Sequence, residues 1–212
     1  MLCWTRMKKK HIITLSGKPG SGKSSTADRV AELLGYTRHS SGEVVRKYVS
    51  KHNITLEAYN DQAHMDRDLD AVVDEELRKL REKKDIVVDS RLGFYWIPES
   101  FKVYLDLDIE TATARIYKDL TVRKSESGDS SLSGVASQVR DRMNTEQQRF
   151  KSAYGVDPFN TEHFDLVINT SRNDPQSVAI NVFDYYKKWL ESETWTPEHI
   201  GVPLGYSFKN QY

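Results

Sequence analysis

The sequence has almost no cysteine, no net charge and no long hydrophobic run, and each absence excludes a class of protein. Its single cysteine, Cys3, cannot form a disulfide within the chain of 212 residues. Lys and Arg total 31, as do Asp and Glu, so net charge gives no long-range attraction to nucleic acid or to a membrane. No apolar run approaches the roughly 20 residues of a membrane span. We therefore expect a cytoplasmic domain, with Met7 as an alternative natural start to Met1.

A glycine-rich segment near the start carries the strongest functional signal. Residues 17–24 read Gly-Lys-Pro-Gly-Ser-Gly-Lys-Ser, the pattern of a P-loop, between an apolar run at 12–15 and a helical pattern that ends at Gly35. Glycines let backbone N–H groups surround an anion, and a helix N-terminus adds positive partial charge. We expect a nucleoside triphosphate here, with Lys23 on its β- and γ-phosphates and Ser24 on Mg²⁺; a β–α turn without ligand is the alternative. The predicted nucleotide-binding residues of this loop are Gly17, Gly20, Ser21, Gly22, Lys23, Ser24 and Ser25.

Apolar runs that alternate with helical patterns predict an α/β fold, a doubly wound parallel sheet with the P-loop after its first strand. The runs at 86–88, 103–105 and 166–168 are typical of strands buried on both faces. The small polar residues 125–134 predict a mobile loop. Residues 1–193 are expected to form one domain, and 194–212 a C-terminal extension. The helices are predicted over residues 24–34, 41–52, 55–62, 66–83, 108–116, 135–154 and 174–190.

Two short segments beyond the P-loop place charged side chains near candidate ligand positions. Ser41 is expected to cap a helix whose N-terminus accepts a second phosphate, with Arg46 about one and a half turns along; a plain cap and a solvated arginine are the alternative. Asp89 and Arg91 directly follow a buried strand, at the edge where ligands of open α/β sheets gather. We expect Asp89 to hold Mg²⁺ through water and Arg91 to bind a nucleotide, unless the segment is an ordinary strand exit.

Charged residues at helical spacing form two further candidate sets. Arg142, Glu146 and Arg149 share one helical face, where the carboxylate would hold both guanidinium groups in place for phosphate binding. A salt-bridged exposed face is the alternative. Asp66 and Asp70 are also one turn apart. They either accept hydrogen bonds from a nucleobase amine or are acids favoured at a helix N-terminus by the dipole.

In their order along the chain, these segments resemble the short-form, archaeal-type cytidylate kinases of the nucleoside-monophosphate kinase group. The resemblance extends over about residues 12–190 and includes Tyr154-Gly155-x-Asp157 and the run from Asp165 to Ser171. It implies acceptor-binding helices at about 40–83 and a helical lid at about 115–150. It further implies that the acceptor phosphate is bound by Ser41, Arg46 and Arg91. The residues that it places at the nucleotide and between the two phosphates are Arg115, Arg142, Glu146 and Arg149.

The resemblance implies transfer of the γ-phosphoryl group of ATP to CMP or dCMP, with Mg²⁺, by a monomer or weak dimer. The predicted catalytic residues are Lys23, Arg142, Glu146 and Arg149. Four departures leave the acceptor open: Glu146 stands where bacterial cytidylate kinases carry Asp, Ser90 replaces a glycine, the lid segment is rich in Ser and Gly, and the tail after Glu193 is extra. AMP, UMP or a metabolite hydroxyl with Asp89 as base are alternative acceptors, and a non-catalytic NTP-binding regulator is another alternative. We do not expect a nucleic-acid partner, because the neutral composition gives no basic track.

Overall fold

Parallel strands form one sheet in the order β2-β3-β1-β4-β5-β6, which confirms the predicted fold class. The computed structural model describes residues 9–52, 67–123 and 131–201. The strands are β1 (Ile12–Gly17), β2 (Thr37–Ser40), β3 (Ile86–Asp89), β4 (Phe101–Asp106), β5 (Leu166–Asn169) and β6 (Glu198–Ile200).

Helices cover both faces of this sheet. They are α1 (Lys23–Leu34), α2 (Ser41–Lys51), α3 (Arg67–Leu80), α4 (Gly93–Trp96), α5 (Ile109–Arg123), α6 (Leu132–Tyr154) and α7 (Pro175–Glu191), with a 3₁₀ turn at Thr161–His163. None of those in the described ranges is both long and apolar enough to cross a lipid bilayer.

The central strand β1 shows how the two faces are divided. Its six residues are all buried. Ile13 packs in one cluster with Val30 of α1 and Val182 of α7, whereas Ile12 packs on the opposite face with Leu77 of α3. Burial of this kind on both faces explains why the strand reads as a continuous apolar run instead of an alternating one.

The prediction missed the strand β2 and misplaced two element ends, and these differences occur where the sequence is polar. The strand β2 contains Thr, Arg, His and Ser at the edge of the sheet, so it has no apolar run to identify it. The helix predicted to end near 116 continues to Arg123, because Ile116 and Leu120 pack against α6. The predicted loop at 125–134 is wrong at its end, since Ser131 caps α6 and residues 132–134 are helical. Residues 124–130 and the helix predicted at 55–62 lie outside the described part of the chain.

The described part of the C-terminal extension packs on the sheet. The strand β6 pairs in parallel with β5, at the edge opposite to β2. Trp195 lies edge-on to Phe101, and its indole N–H donates to the Asp165 carbonyl at 3.0 Å. Residues 195–200 therefore extend the hydrophobic core on this side of the sheet.

A side chain at Gly17 is expected to destabilise the protein strongly. This last residue of β1 has a φ of 151°, and a Cβ there would clash with the Leu105 carbonyl oxygen of β4. Gly17→Ala should lower the free energy of unfolding by about 3 kcal/mol, because the two strands must separate. Gly35→Ala is the matched control: φ is 68°, nothing lies within 4 Å of an added Cβ, and the expected loss is about 1 kcal/mol. Equal losses in urea unfolding would contradict the steric argument.

Candidate active site

The P-loop connects β1 to α1 and is linked to β4 and α5 by two cations. Gly20 and Gly22 adopt positive φ, of 75° and 80°, in the left-handed region that glycine tolerates. Lys18 forms an ion pair with Asp106 at 2.6 Å, at the end of β4. Arg115 of α5 donates to the Gly20 carbonyl at 3.3 Å. The loop lies at the N-terminus of α1, where the helix dipole and unpaired backbone N–H groups favour an anion.

Asp89 lies beside the P-loop because β3 pairs with β1, with Leu15 opposite Asp89. The Lys23 ammonium donates to its Oδ1 at 2.8 Å, and the Ser24 hydroxyl donates to its Oδ2 at 2.8 Å. Arg38 Nη2 donates to Oδ2 at 3.1 Å. Burial alone would raise the pKa of Asp89, but these donors outweigh it, and the pKa lies below its ordinary value. Asp89 is therefore an ionised, fully engaged carboxylate.

Lys23 is the P-loop cation that forms an ion pair with Asp89. Burial lowers the pKa of Lys23, and the nearby Arg91 lowers it further, whereas Asp89 and Glu146 act in the opposite direction. Its side chain is 18% exposed, so it is largely buried but retains some contact with solvent. A bound phosphate could take over from Asp89 as the partner of this ammonium.

The residues predicted to hold magnesium fit that ion. Mg²⁺ prefers oxygen ligands and is usually bound by one or two protein groups together with waters and substrate phosphates. The Ser24 hydroxyl and the Asp89 carboxylate both offer oxygen atoms as metal ligands, and the two groups are in direct contact beside the P-loop. These two side chains would hold the ion at the edge of the P-loop.

A carboxylate joins two of the predicted arginines next to the loop. Glu146 Oε2 accepts from Arg91 Nε at 2.7 Å, and Oε1 accepts from Arg142 Nε at 3.0 Å. Arg91 Nη1 also donates to the Gly17 carbonyl, which ties the cluster to the P-loop. Burial alone would raise the pKa of Glu146, but Arg91 and Arg142 lower it to about 2. We refer to Arg91, Glu146 and Arg142 as the arginine cluster.

Arg149 does not join the arginine cluster, and here the predicted geometry is wrong. Its guanidinium donates to Asp70 Oδ1 of α3 at 3.0 Å instead of sharing Glu146 with Arg142. The next acid along α3, Asp74, accepts from Tyr154 of α6 at 2.8 Å. Two acids one turn apart on α3 therefore bind α6. The pairing is long-range, so spacing within α6 gave no sign of it.

The remaining predicted residues lie around this centre. Ser41 is the first residue of α2 and Ser40 is at the N-cap position, so the predicted cap is one residue out, and no side-chain cap bond forms. Ser41 Oγ donates to the Asp89 carbonyl at 3.4 Å, and Arg46 is exposed on the same helix. Arg115 donates to the Thr170 carbonyl at 2.6 Å as well as to the P-loop.

Three other predicted positions complete the description. In the P-loop region Ser21 is buried, whereas Ser25 is exposed on the first turn of α1. Asp66 lies outside the described residues.

Sequence reasoning missed one cation of the site, Arg38. It was missed because β2 was not predicted, although Arg38 lies between a helix-ending Gly35 and the start of α2. A short segment there, with a β-branched Thr37, is a usable signal for an edge strand that ends at the ligand edge.

Comparison with known proteins agrees with this geometry. Residues 12–172 match the model of the cytidylate kinase-like family. A cytidylate kinase of Halobacterium salinarum is 31% identical over 176 residues, which cover 82% of this chain and 88% of that protein. A shikimate kinase of Acinetobacter baumannii shares the fold, with a TM-score of 0.56 at 16% identity over 88% of this chain and 97% of that one.

Another relative has a different name and a different length. An S-adenosylmethionine-dependent nucleotide dehydratase of Lacinutrix mariniflava is 35% identical over 181 residues. The match covers 84% of this chain but only 36% of that protein, so this chain spans about a third of that protein's length. Since the family model covers most of the P-loop domain, the chain belongs to the cytidylate kinase-like family and is a P-loop phosphotransferase.

Proposed function

We propose that the protein transfers the γ-phosphoryl group of ATP to the phosphate of CMP or dCMP. The observation that carries this proposal is the arginine cluster, in which Glu146 accepts from Arg91 and Arg142 while Arg91 also donates to the carbonyl of Gly17. Two polyanions repel each other strongly, and fixed guanidinium forks are suited to neutralising phosphate oxygens. ATP already has Lys23 of the P-loop as a cation. The additional guanidinium groups of Arg91 and Arg142 are needed if the acceptor also carries a phosphate.

The state of Asp89 favours a phosphate acceptor over a hydroxyl acceptor. A hydroxyl must lose its proton, and Asp89 is the candidate base. Its two oxygens already accept from Lys23, Ser24 and Arg38, and its pKa is lowered, so it is a poor proton acceptor. The oxygen of a nucleoside monophosphate is anionic at neutral pH and needs no base.

We assign each side chain a role in the transfer according to where it lies in the site. Lys23 exchanges Asp89 for the β- and γ-phosphates, while Arg91 and Arg142 neutralise the group in transfer. Arg46, on the exposed face of α2, would bind the acceptor phosphate, and Asp70 of α3, which accepts from Arg149 in the structure, would also accept from the base. Ser24 and Asp89 would hold Mg²⁺, which would supply positive charge to the phosphate groups. Catalysis consists of positioning and charge neutralisation, without a covalent intermediate.

The choice of cytosine rests on the relatives. The cytidylate kinase of Halobacterium salinarum aligns over most of both chains. We propose the same acceptor class for this protein, acting as a monomer or weak dimer in the cytoplasm on small molecules only.

The proposal is tested by ADP release in a coupled assay with ATP and a panel of acceptors. The panel contains CMP, dCMP, UMP, AMP and GMP, with shikimate and gluconate as hydroxyl acceptors, and water as the blank. We expect CMP or dCMP to give a kcat/KM at least about tenfold above the other acceptors, a difference of about 1.4 kcal/mol in transition-state binding. A faster reaction with UMP or AMP would change the proposed base, and a faster reaction with a hydroxyl compound would overturn the acceptor class.

A further inference from the structure

We infer that Arg38 is a positioning residue that holds Asp89 in place when Lys23 moves from it to a bound nucleotide. The inference rests on the proposed use of the P-loop for ATP. It concerns a side chain of β2 that lies outside the glycine loop and outside the arginine cluster. Its basis is the distribution of three donors over one buried carboxylate.

The donors of Asp89 differ in what nucleotide binding does to them. Its side chain is 3% exposed and accepts from Lys23, Ser24 and Arg38. Lys23 and Ser24 are P-loop groups that a triphosphate and its metal ion recruit. Arg38 belongs to the edge strand and is not part of the loop. It is therefore the donor that stays on the carboxylate when the other two are recruited.

The guanidinium of Arg38 is held in position independently of the nucleotide. Its Nη1 pairs with Glu43 of α2 at 2.9 Å and with Asp28 of α1 at 3.2 Å, while Nη2 points to Asp89. The planar fork lets one side chain serve partners from two helices and one strand, which an ammonium on a flexible stem does poorly. Asp28 lies in the helix that follows the P-loop. Glu43 lies in the first turn of α2, the first of the helices predicted to bind the acceptor.

The energetic consequence follows from the burial of Asp89. Releasing Lys23 from an ionised carboxylate inside the protein is unfavourable unless another positive group compensates that charge. With Arg38 present, Asp89 still has a positively charged partner after Lys23 is released. Without it, Asp89 would retain Lys23 more strongly, so less of the ammonium's attraction would reach the phosphates. The loss should be largest when no metal ion is present to replace the missing charge.

The test is a double-mutant cycle on nucleotide binding. The affinity for ATP in EDTA is measured by calorimetry for wild type, R38Q, D89N and the double variant. We expect R38Q to weaken binding about tenfold in the wild-type background and less than about twofold in the D89N background. With Mg²⁺ added, the effect of R38Q should shrink. R38K, which keeps the charge and loses the fork, should bind with intermediate affinity.

The control is D28N, which removes an exposed partner of Arg38 without touching Asp89. It should bind ATP within about twofold of wild type, and urea unfolding of each variant confirms that it is folded. If R38Q does not fold, R38K in both backgrounds completes the same cycle. Equal weakening in both backgrounds, or an equal effect of D28N, would overturn the inference. Wild type that binds no ATP would instead refute the proposed function, and the inference with it.

Discussion

Lys23→Ala is expected to lower kcat at least about 10²-fold while leaving the protein folded. Removing one preorganised electrostatic donor from a phosphoryl or acyl transfer site typically has this effect, equivalent to about 3 kcal/mol of transition-state stabilisation. Lys23 is the P-loop cation directed at Asp89 beside the predicted phosphate position, at 2.8 Å from its Oδ1. Its contact with the phosphates would be strongest as the charge moves, so the loss should fall mainly on kcat.

The structure also predicts why this variant remains folded. After the change, Asp89 still accepts from Ser24 and Arg38, so the carboxylate is not left without a positive partner. We expect the free energy of unfolding to fall by about 1–3 kcal/mol, the range for a hydrogen bond to a charged group. Urea unfolding followed by circular dichroism measures that change, and the coupled assay measures kcat on the same preparation.

Lys18→Ala is the matched control for this prediction. Lys18 belongs to the same loop, but its ammonium pairs with Asp106 and donates to the Leu107 carbonyl at 3.2 Å, away from Asp89. The variant removes an equal charge from the same segment, and we expect kcat to change less than about threefold, because the Lys18 ammonium points to β4 and away from the predicted phosphate position. If Lys18→Ala is as damaging as Lys23→Ala, or if Lys23→Ala retains near-normal turnover, the catalytic role of Lys23 is wrong.

Local sequence was sufficient for the parts of the fold that repeat a simple pattern. The P-loop, the buried strands β1, β3, β4 and β5, and the helix ended by Gly35 all follow from apolar runs and glycine positions. The edge strands β2 and β6 could not be predicted this way, because β2 is entirely polar and β6 has a single apolar residue, so neither forms an apolar run. They become strands by pairing with β3 and β5, which is a tertiary effect.

The structure brings several of the predicted site residues together, but only some of their contacts follow from sequence spacing. Arg142 and Glu146 are one helical turn apart, and their ion pair is the predicted one. The second partner of Glu146 is Arg91, 55 residues away along the chain, and Arg149 pairs with Asp70 of another helix. Spacing within one helix shows which side chains share a face, but the choice among partners depends on which elements pack together.

Glu146→Gln is expected to reduce both turnover and stability, because the carboxylate organises two guanidinium groups. An amide keeps the shape but carries no charge, so Arg91 and Arg142 would lose their common anion. A displacement of catalytic groups by about 1 Å can reduce the rate about 10²-fold, and we expect a kcat loss of about that size. Glu146→Asp is one methylene shorter and cannot keep both contacts, of 2.7 and 3.0 Å, so it should lie between wild type and Glu146→Gln.

The stability effect of Glu146 has a defined dependence on pH. The folded protein lowers its pKa from the ordinary value of 4.5 to about 2, so the ionised form stabilises the fold. This contribution is fully present above pH 4.5 and is lost as the pH falls through about 2. At about 1.36 kcal/mol per unit it amounts to about 3 kcal/mol. The difference in free energy of unfolding between wild type and Glu146→Gln should therefore shrink by that amount between pH 5 and pH 2.

Glu75→Gln separates this effect from general acid destabilisation. Glu75 is 55% exposed and forms an ion pair with Arg78 on the surface of α3, at 3.6 Å. Such a pair contributes at most about 1 kcal/mol, and we expect the difference from wild type to stay below about 0.5 kcal/mol at every pH. If Glu146→Gln follows wild type in parallel over the whole range, Glu146 does not hold the arginines as an ionised group. The kcat loss would then require another cause, since the cluster depends on that charge.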